Sequence, residues 1–281
     1  MKILITGNSG YIGSHLSKLL CEHEIHGLDL VEPQCPITCH NIGDIRSKSF
    51  PVDTAVFDVV IHLAAVVNVG ESVDRPIAYY STNTVGTLNV LHQVRTRNFI
   101  LASTGAAEGC VSPYGVSKRA AEDCVRQFCT DAMIPFTIFR FYNVIGSDGF
   151  DPTNPDGLMY NLMKAPESGK FTIFGNDYER STDGTCVRDY VHVMEICNAI
   201  KTAITKPSGR IESLGHGIGY TVKEMVNLFQ KVNDVDFDVI TGPRRAGDLP
   251  VSVLDEVSPY MEKLYTMEEL LVYNLNSGPA T

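Results

Sequence analysis

The sequence predicts an α/β protein with a doubly wound parallel sheet followed by a smaller C-terminal α/β domain. Short apolar runs alternate with segments of helical periodicity as far as Arg140, which is the pattern of a parallel sheet covered by helices. After Asn143 the pattern changes, because residues 146–157 (GSDGFDPTNPDG) are rich in Gly, Pro, Asp and Asn, as a loop over the sheet edge would be. We therefore place the first domain over residues 1–146 and the second over residues 147–281.

The composition is typical of a globular protein, with 281 residues, 44% hydrophobic and 20% charged. The net charge of −10 argues against a general nucleic-acid or anionic-membrane binder, although it allows a local basic site for one anionic ligand. The N-terminal MKILITG is not a signal peptide, and no apolar stretch approaches the ~20 residues of a membrane span. The eight cysteines form no second pair beside Cys35 and Cys39, which predicts reduced thiols, no metal site and a cytoplasmic location.

The first element is a buried strand at Lys2–Thr6, followed at once by a glycine-rich turn containing Gly7, Gly10 and Gly13. Apolar residues then recur at helical spacing, so the pattern is strand, glycine turn and helix. Such glycines let the backbone approach a pyrophosphate at the N-terminus of a helix. The spacing is Gly-x-x-Gly-x-x-Gly, and by itself it fits an ordinary tight turn equally well.

The second strand, Ile25–Leu30, carries Asp29 at its C-terminal end. A carboxylate at this position can accept both hydroxyls of an adenosine ribose and would repel a 2′-phosphate. The alternative is an aspartate that only forms a turn. Taken with the glycine turn, Asp29 predicts dinucleotide binding, with NAD favoured over NADP.

Four further strands follow in the first domain, the last of them over residues 135–140. A short strand near residues 37–40 leads to Asp44, which is either a contact to the adenine amino group or a turn former. The apolar run 57–65 predicts a central parallel strand in which His62 is a hydrogen-bonded core residue, and the small residues at its end let the backbone lie close to a cofactor. A long helix over residues 76–94 places Asn83 away from its core face, and the strand Phe99–Thr104 comes next.

The helix after Thr104 carries the residues that we expect to be reactive. Ser112 and Pro113 predict its N-cap and first turn, so Tyr114 and Lys118 lie at i and i+4 on one face. An isolated tyrosine has a pKa of about 10, and a nearby ammonium lowers that pKa so that the phenol can exchange a proton at neutral pH. The alternative is a surface helix with an incidental Tyr and Lys. Parallel sheets bind ligands beyond the carboxyl ends of their strands, where the Gly7 turn, Asp29 and Thr104 would meet this pair.

The second domain shows short strands between loops at 175–192, a helix from about Val222 to Val232, and the segment 243–248 with its arginines. Arginine forks are suited to a diphosphate, which an acidic protein would need to bind locally. The alternative for Arg188 and Arg245 is a surface ion pair.

These residues resemble the extended short-chain dehydrogenase/reductases, and within them the UDP-glucose 4-epimerase type. The resemblance runs from Met1 to about Leu271, and the motifs that carry it are TGNSGYIGSH (6–15), GDI (43–45), GES (70–72), YYSTNTVGTLNVL (79–91), PYGVSK (113–118), RFYN (140–143), NLM (161–163), FGNDY (174–178), TDGTCVRDYVHV (182–193) and PRRAGDLP (243–250). It implies a Rossmann-type fold, a chain that re-enters the first domain around 183–205, and a homodimer. The implied activity is NAD-dependent 4-epimerisation of a UDP-hexose (plain, N-acetylated or a uronic acid) through a 4-keto intermediate.

The resemblance also implies roles for individual residues. Tyr114 would be the acid/base, Lys118 the residue that lowers its pKa, and Thr104 the hydroxyl between Tyr114 and the sugar O4. The residues implied to bind NAD are Gly7, Gly10, Tyr11, Ile12, Gly13, Asp29, Asp44, Ile45, Leu63, Ala64, Ala65, Asn83, Tyr114, Lys118 and Tyr142. Those implied to bind the nucleotide-sugar are Thr104, Asn143, Asn161, Phe174, Arg188, Arg245 and Asp248.

The chain departs from the family pattern at several positions. Val67 stands where a lysine contacts the cofactor, Ser252 stands where the hexose is often crowded, and an apolar segment before Thr266 is largely absent. Nucleotide-sugar 4,6-dehydratases place Asp-Glu, and decarboxylases a Glu, at positions that are Gly105 and Ala106 here, which disfavours both rival activities. A non-catalytic NAD-binding regulatory protein is the second alternative, and the intact Thr, Tyr and Lys argue against it. Asp29 disfavours an NADP-dependent reductase.

Overall fold

The computed structural model describes residues 1–53, 55–245 and 247–273 of the chain. The strands of the described residues are β1 (Lys2–Thr6), β2 (Glu24–Asp29), β3 (Cys39–Ile42), β4 (Val59–His62), β5 (Phe99–Thr104), β6 (Phe136–Phe141), β7 (Asn143–Ile145), β8 (Lys170–Phe174), β9 (Val187–His192), β10 (Ile211–Leu214), β11 (Gly219–Thr221), β12 (Asp238–Gly242) and β13 (Val251–Ser252). The helices are α1 (Tyr11–Leu19), α2 (Val69–Asp74), α3 (Pro76–Tyr79), α4 (Gly86–Gln93), α5 (Ala106–Gly109), α6 (Pro113–Asp131), α7 (Leu158–Ser168), α8 (Val193–Thr205), α9 (Val222–Asn233) and α10 (Met267–Leu271), with a π-helical segment at Tyr80–Val85.

Seven strands form the large sheet in the order β10-β6-β5-β4-β1-β2-β3, and every pairing between neighbours is parallel. The predicted doubly wound parallel sheet is therefore confirmed. Its strands alternate side chains between two cores, since Ile3 and Ile5 lie in the core that contains α1 and α8, whereas Leu4 lies in the core with α4 and α6. Burying both faces explains why these strands are almost continuously apolar.

The order of the strands reverses at β1, which pairs with β2 on one side and with β4 on the other. A crevice opens at such a switch point beyond the carboxyl ends of the strands, and ligands of open α/β sheets bind there. The turn that begins at Gly7 follows β1 directly, so the topology alone places this turn at the crevice.

The second part of the structure holds its own core and two small sheets. One sheet contains β11, β9 and β13 with β7 paired to β9, and the other pairs β12 with β8. A third apolar cluster lies between α7, α9 and α10. The chain also returns to the large sheet, because α8 packs in the core beside α1 and β10 adds the edge strand next to β6. The division into two domains at residue 146 stays a prediction.

The long helix expected at residues 76–94 is interrupted. It consists of α3, the π-helical segment Tyr80–Val85 and α4. Asn83 lies in the π-helical segment, where its side chain reaches the backbone of Val66. A π-helical turn of this kind often marks a functional site, and periodicity alone does not predict it.

Candidate active site

The glycine turn between β1 and α1 leaves room for a ligand at the helix N-terminus. Gly7 adopts a φ of +76°, and a Cβ there would lie 2.7 Å from the backbone nitrogen of Ala64. A Cβ at Gly13 would overlap the carbonyl oxygen of Gly7 and lie 2.7 Å from the Cα of Asn8. Gly10 caps α1 without any side-chain hydrogen bond, so the first N–H groups of α1, at Tyr11 and Ile12, carry no side-chain cap. This arrangement suits the pyrophosphate of a dinucleotide.

Asp29 ends β2 beside the glycine turn. Its Oδ2 accepts the backbone N–H of Ser9 at 3.0 Å, and its Oδ1 accepts the N–H of Leu30 at 2.6 Å. These bonds fix the carboxylate at the rim of the crevice, next to the turn. A fixed carboxylate at this point fits the two hydroxyls of a ribose, as the sequence predicts.

Asp44 lies near the same rim, but its carboxylate is already engaged. The Nη2 of Arg46 lies 2.6 Å from Asp44 Oδ2, and this hydrogen bond lowers the pKa of Asp44. Ile45 is buried, and its side chain lies against Gly86 of α4. Asp44 as a contact to an adenine would therefore compete with Arg46, a partner that the sequence pattern does not predict.

The loop after β4 contains Leu63, Ala64 and Ala65, and the side chain of Asn83 is hydrogen-bonded to this loop. Asn83 is 1% exposed; its Oδ1 accepts the N–H of Val66 at 2.9 Å, and its Nδ2 donates to the carbonyl of Val66 at 3.0 Å and to Ser117 Oγ at 3.0 Å. In this structure the amide of Asn83 is hydrogen-bonded to the loop and to α6, and its direct contact to the cofactor stays a prediction. Asn83 supports the loop from the protein side.

The predicted core role of His62 is confirmed by its contacts. Its Nδ1 lies 2.6 Å from Thr6 Oγ1 and its Nε2 lies 2.9 Å from Thr87 Oγ1. Burial lowers the pKa of His62 to about 3, and the charge of Lys118 lowers it further. The ring is therefore neutral at physiological pH, and Lys118 is close enough to influence it electrostatically.

The Tyr114 helix begins as the sequence predicts. Ser112 caps α6 by accepting the N–H of Gly115 at 3.2 Å, and Pro113 occupies the first turn. Tyr114 and Lys118 are 8% and 4% exposed, so both face the interior instead of solvent. The alternative of an incidental pair on a surface helix is wrong. A tyrosine and a lysine buried together beside a cofactor crevice can transfer a proton.

Burial raises the pKa of Tyr114 in this structure, so the lowering of that pKa by Lys118 stays a prediction. Burial raises the pKa of Tyr114 to about 12, and the hydrogen bond with Thr104 opposes that shift. Desolvation disfavours the phenolate, and this effect exceeds the favourable interaction with the hydroxyl. Burial also lowers the pKa of Lys118 to about 8, while the carboxylate of Glu122 acts in the opposite direction.

Two groups of residues behind Tyr114 and Lys118 are not predicted from the sequence. The ring of Tyr79 packs edge-on against that of Tyr114 with centroids 6.3 Å apart, and its hydroxyl donates to Glu71 at 3.0 Å. Glu122 and Arg140 form a buried ion pair at 2.8 Å. A charged residue inside the apolar strand FTIFRF and a glutamate four positions after Lys118 were the available sequence signals.

Tyr142 and Asn143 follow β6 at the same carboxyl edge of the sheet. A Cβ at Gly105 would lie 3.2 Å from the Tyr142 ring, so the small residue leaves space for that ring. Burial, followed by the charge of Glu108, raises the pKa of Tyr142 to about 12. Asn143 donates to the carbonyl of Asp189 at 3.2 Å. Glu108 itself is exposed on α5.

The predicted nucleotide-sugar residues of the second domain form two groups. Arg188 lies 3.6 Å from Asp248, and its Nη1 donates to the carbonyl of Leu249 at 2.7 Å. Arg245 stacks on Phe174 with its guanidinium 3.9 Å from the ring centroid and donates to the carbonyl of Asp156. Asn161 belongs with Arg245, since its Nδ2 donates to the carbonyls of Pro155 and Gly157, on either side of the Asp156 carbonyl that Arg245 contacts.

Segments from the second part of the chain reach the beginning of α6. The side chain of Asn68 donates to the carboxylate of Asp156 across the two parts of the chain. A Cβ at Gly247 would lie 3.5 Å from Val69 and 4.0 Å from Ser112. The arginine-bearing loop therefore lies beside the N-terminus of α6, the helix that carries Tyr114.

The described residues contain neither a candidate metal site nor a candidate membrane-spanning helix. No cluster of three or more His, Cys, Asp or Glu side chains there could hold a metal ion. None of the helices in those residues combines the length and the apolar character needed to cross a bilayer.

Comparison with known proteins gives consistent similarities. Residues 3–215 match the model of the NAD-dependent epimerase/dehydratase family. The UDP-glucose 4-epimerase of Yersinia pestis is 33% identical over 304 residues, which cover 89% of this chain and 88% of that protein. The crystal structure of UDP-glucose 4-epimerase from Bifidobacterium longum, in complex with NAD+ and UDP, superposes with a TM-score of 0.85 at 25% identity and covers 96% of both chains. The enzyme from Thermotoga maritima, solved with UDP-glucose, gives a TM-score of 0.82 at 26% identity over 96% of both chains.

Proposed function

Because the chain belongs to the NAD-dependent epimerase/dehydratase family, we propose that it is an isomerase that inverts C4 of a UDP-hexose through a 4-keto sugar. The observation that carries this proposal is the burial of Tyr114 and Lys118 one turn apart on α6, with Tyr114 hydrogen-bonded to the partly buried Thr104 at the carboxyl end of β5. The same carboxyl edge of the sheet carries the glycine turn after β1, which suits a dinucleotide. The UDP-glucose 4-epimerases that resemble it bind NAD and UDP or UDP-glucose in their crystals, which supports the same cofactor and substrate class here.

The residues present fit NAD. The turn at Gly7, Gly10 and Gly13 offers uncapped N–H groups to the pyrophosphate, and we assign Asp29 to the adenosine ribose and Lys118 to the other ribose of NAD. Tyr11, Ile12, Leu63, Ala64, Ala65 and Tyr142 are assigned to the walls of this crevice. When bound, NAD supplies the reversible uptake of one hydride from the sugar C4.

The chain itself supplies the proton chemistry. Tyr114, as the phenolate, takes the proton from the sugar 4-OH and later returns it as the phenol, and Thr104 is assigned to the hydroxyl contact between Tyr114 and the sugar O4. The ammonium of Lys118 stabilises the phenolate that forms on Tyr114. Burial excludes water, so these interactions act in a medium of low dielectric.

The second domain anchors the nucleoside diphosphate while the sugar turns. Arg188 and Arg245 are assigned to the diphosphate, Phe174 to stacking, and Asn143, Asn161 and Asp248 to polar contacts. Both arginines already contact protein carbonyls, which holds their forks in place. Rotation of a 4-keto sugar requires a firm anchor at the diphosphate and few contacts at the hexose.

The lyase alternatives lack their chemistry in this site. A 4,6-dehydratase needs a further acid and base at the positions of Gly105 and Ala106, and neither residue carries a titratable group. At Gly105 a side chain would approach the Tyr142 ring at 3.2 Å. Glu108 is exposed on α5, which argues against its taking over this role.

The finer assignments are proposals as well. UDP-glucose and UDP-galactose are the first substrates to test, with their N-acetyl and uronic acid analogues beside them, since Ser252 is small. We propose a homodimer through α4 and α6, because Val85, Leu88 and Phe128 are 45%, 45% and 41% exposed on or beside these helices. The cytoplasmic location stays a prediction from the composition.

The decisive experiment incubates the purified protein with this panel of UDP-sugars and separates the products by chromatography. We expect interconversion of a C4 pair, and a 4-keto-6-deoxy sugar would identify a lyase instead. Tyr114→Phe should abolish turnover while bound NAD is retained, because the substitution removes only the phenol oxygen. Near-complete activity of that variant would refute the assignment of the base.

A further inference from the structure

A second layer of charged residues lies directly behind the proposed catalytic residues. Glu122 is fully buried on α6, one turn after Lys118. Its carboxylate accepts Ser103 Oγ at 2.6 Å, Arg140 Nε at 2.9 Å and Arg140 Nη2 at 2.8 Å. Ser103 precedes Thr104 on β5, and Arg140 lies opposite Ser103 on β6. Glu122 thus connects the three elements that carry or adjoin Thr104, Tyr114 and Lys118.

The charge balance of this layer depends on one carboxylate. Lys118 and Arg140 are both buried cations, and a buried cation without a counter-ion tends to lose its proton if it can. Arginine stays protonated at any accessible pH, whereas lysine does not. If the charge of Glu122 were removed, Lys118 would therefore be the residue that loses its proton, and repulsion from Arg140 would favour that loss.

Other titratable groups around this layer do not replace Glu122. Those that influence its members are His62 on β4, Tyr79 on α3, Tyr114 on α6, Glu108 on α5 and Tyr142 after β6. His62 and the tyrosines are neutral at physiological pH, and Glu108 is exposed. Glu71 is bonded to Tyr79 and to Arg75.

We propose that Glu122, held by Arg140, is a positioning residue that keeps Lys118 in its ammonium form beside Tyr114. The pair also joins α6 to β5 and β6, so it fixes the helix face that carries the proton-transfer residues. A buried ion pair does not in general stabilise a fold more than apolar residues of similar size would, because the cost of desolvation offsets the attraction between the charges. The role in catalysis rests on the proposed function, whereas the effect on the Lys118 charge does not.

The test measures the titration of Lys118 by NMR in the purified holoenzyme with 13C- and 15N-labelled lysine, using Lys118→Met to identify its signal. In Glu122→Gln, which keeps the shape of the side chain, we expect the titration midpoint to fall by about 1–3 pH units. In Arg140→Met a cation is removed and the midpoint should rise. Glu122→Asp, the matched control, keeps the charge and should remain closer to the wild type than Glu122→Gln.

Opposite shifts of the Lys118 midpoint in the two variants support the proposal, because loosened packing alone would not move the midpoint in opposite directions. An unchanged midpoint, or a shift in the same direction in both variants, would overturn it. If one variant does not fold, the direction of the shift in the other still decides. The pH profile adds a catalytic readout: in Glu122→Gln the alkaline decline of kcat should move to lower pH by the same amount, with KM for the UDP-sugar unchanged. If the wild type converts no UDP-sugar, the proposed function fails while the lysine titration remains interpretable.

Discussion

Replacement of Thr104 by valine tests how the hydroxyl controls the base. Thr104 ends β5 and is partly buried, and its hydrogen bond with Tyr114 lowers a pKa that burial raises to about 12. Valine preserves the branched shape and removes only this interaction, apart from a bond in which Thr104 Oγ1 accepts the N–H of Ala106 at 3.2 Å. The variant therefore isolates the contribution of one hydroxyl to the phenolate.

The expected magnitude follows from the strength of such a bond. A hydrogen bond to a charged group contributes about 1.5–3 kcal/mol, and one pKa unit corresponds to about 1.4 kcal/mol. The acid limb of kcat should move to higher pH by about 1–2 units, so kcat at neutral pH should fall by about 10- to 100-fold. The direction of the pKa shift is fixed, because a group that stabilises the phenolate lowers the pKa of Tyr114 and the loss of that group raises it.

The assay follows interconversion of the UDP-sugar pair across neutral and alkaline pH, with bound NAD quantified in the same preparations. Thr104→Ser keeps the hydroxyl and is the matched control, for which we expect the wild-type acid limb. If Thr104→Val shows the wild-type acid limb with a lower kcat at every pH, the hydroxyl orients the substrate without tuning Tyr114. That result would refute the role of Thr104 in lowering the Tyr114 pKa.

Two further predictions concern the cofactor turn and the buried histidines. Gly13→Ala should weaken NAD binding by about tenfold or more, equivalent to about 1.4 kcal/mol, because its Cβ would meet backbone atoms of Gly7 and Asn8 that cannot move aside. Gly70→Ala is the control, since its Cβ would lie 3.5 Å from Asn68, and equal cofactor affinity in both variants would contradict the prediction. Burial lowers the pKa of His62 to about 3 and that of His192 to about 4, so the unfolded chain binds protons first as the pH falls below 6.5. Stability should therefore decline from pH 6.5 towards pH 4, by about 2.7 kcal/mol per pH unit where both histidines contribute, and a urea midpoint that stays constant to about pH 5 would disprove it.

Local sequence patterns predicted the elements around the site because their causes are local. The apolar run of β1 and the glycines after it predict a strand and a tight turn, and Ser112 with Pro113 predicts the start of α6. The alternation of strands and helices predicts the parallel sheet, and the order of strands around β1 then places the glycine turn at the switch point. The family assignment, carried by motifs spread from the first strand to the second domain, is confirmed.

The tertiary structure decided the electrostatics and the partners of single side chains. The fold buries Tyr114, so desolvation raises the pKa that sequence reasoning expected Lys118 to lower. The π-helical segment turns Asn83 towards Val66, and Arg46 occupies the carboxylate of Asp44. Glu122 and Arg140 meet only because β6 lies next to β5 and beneath α6. Burial and pairing depend on contacts between residues distant in the chain, whereas turns and caps depend on neighbours. For this reason the sequence by itself determined on which elements the proposed catalytic groups lie and what chemistry their side chains can perform. The three-dimensional packing decided their protonation states, because it sets their burial and their charged partners.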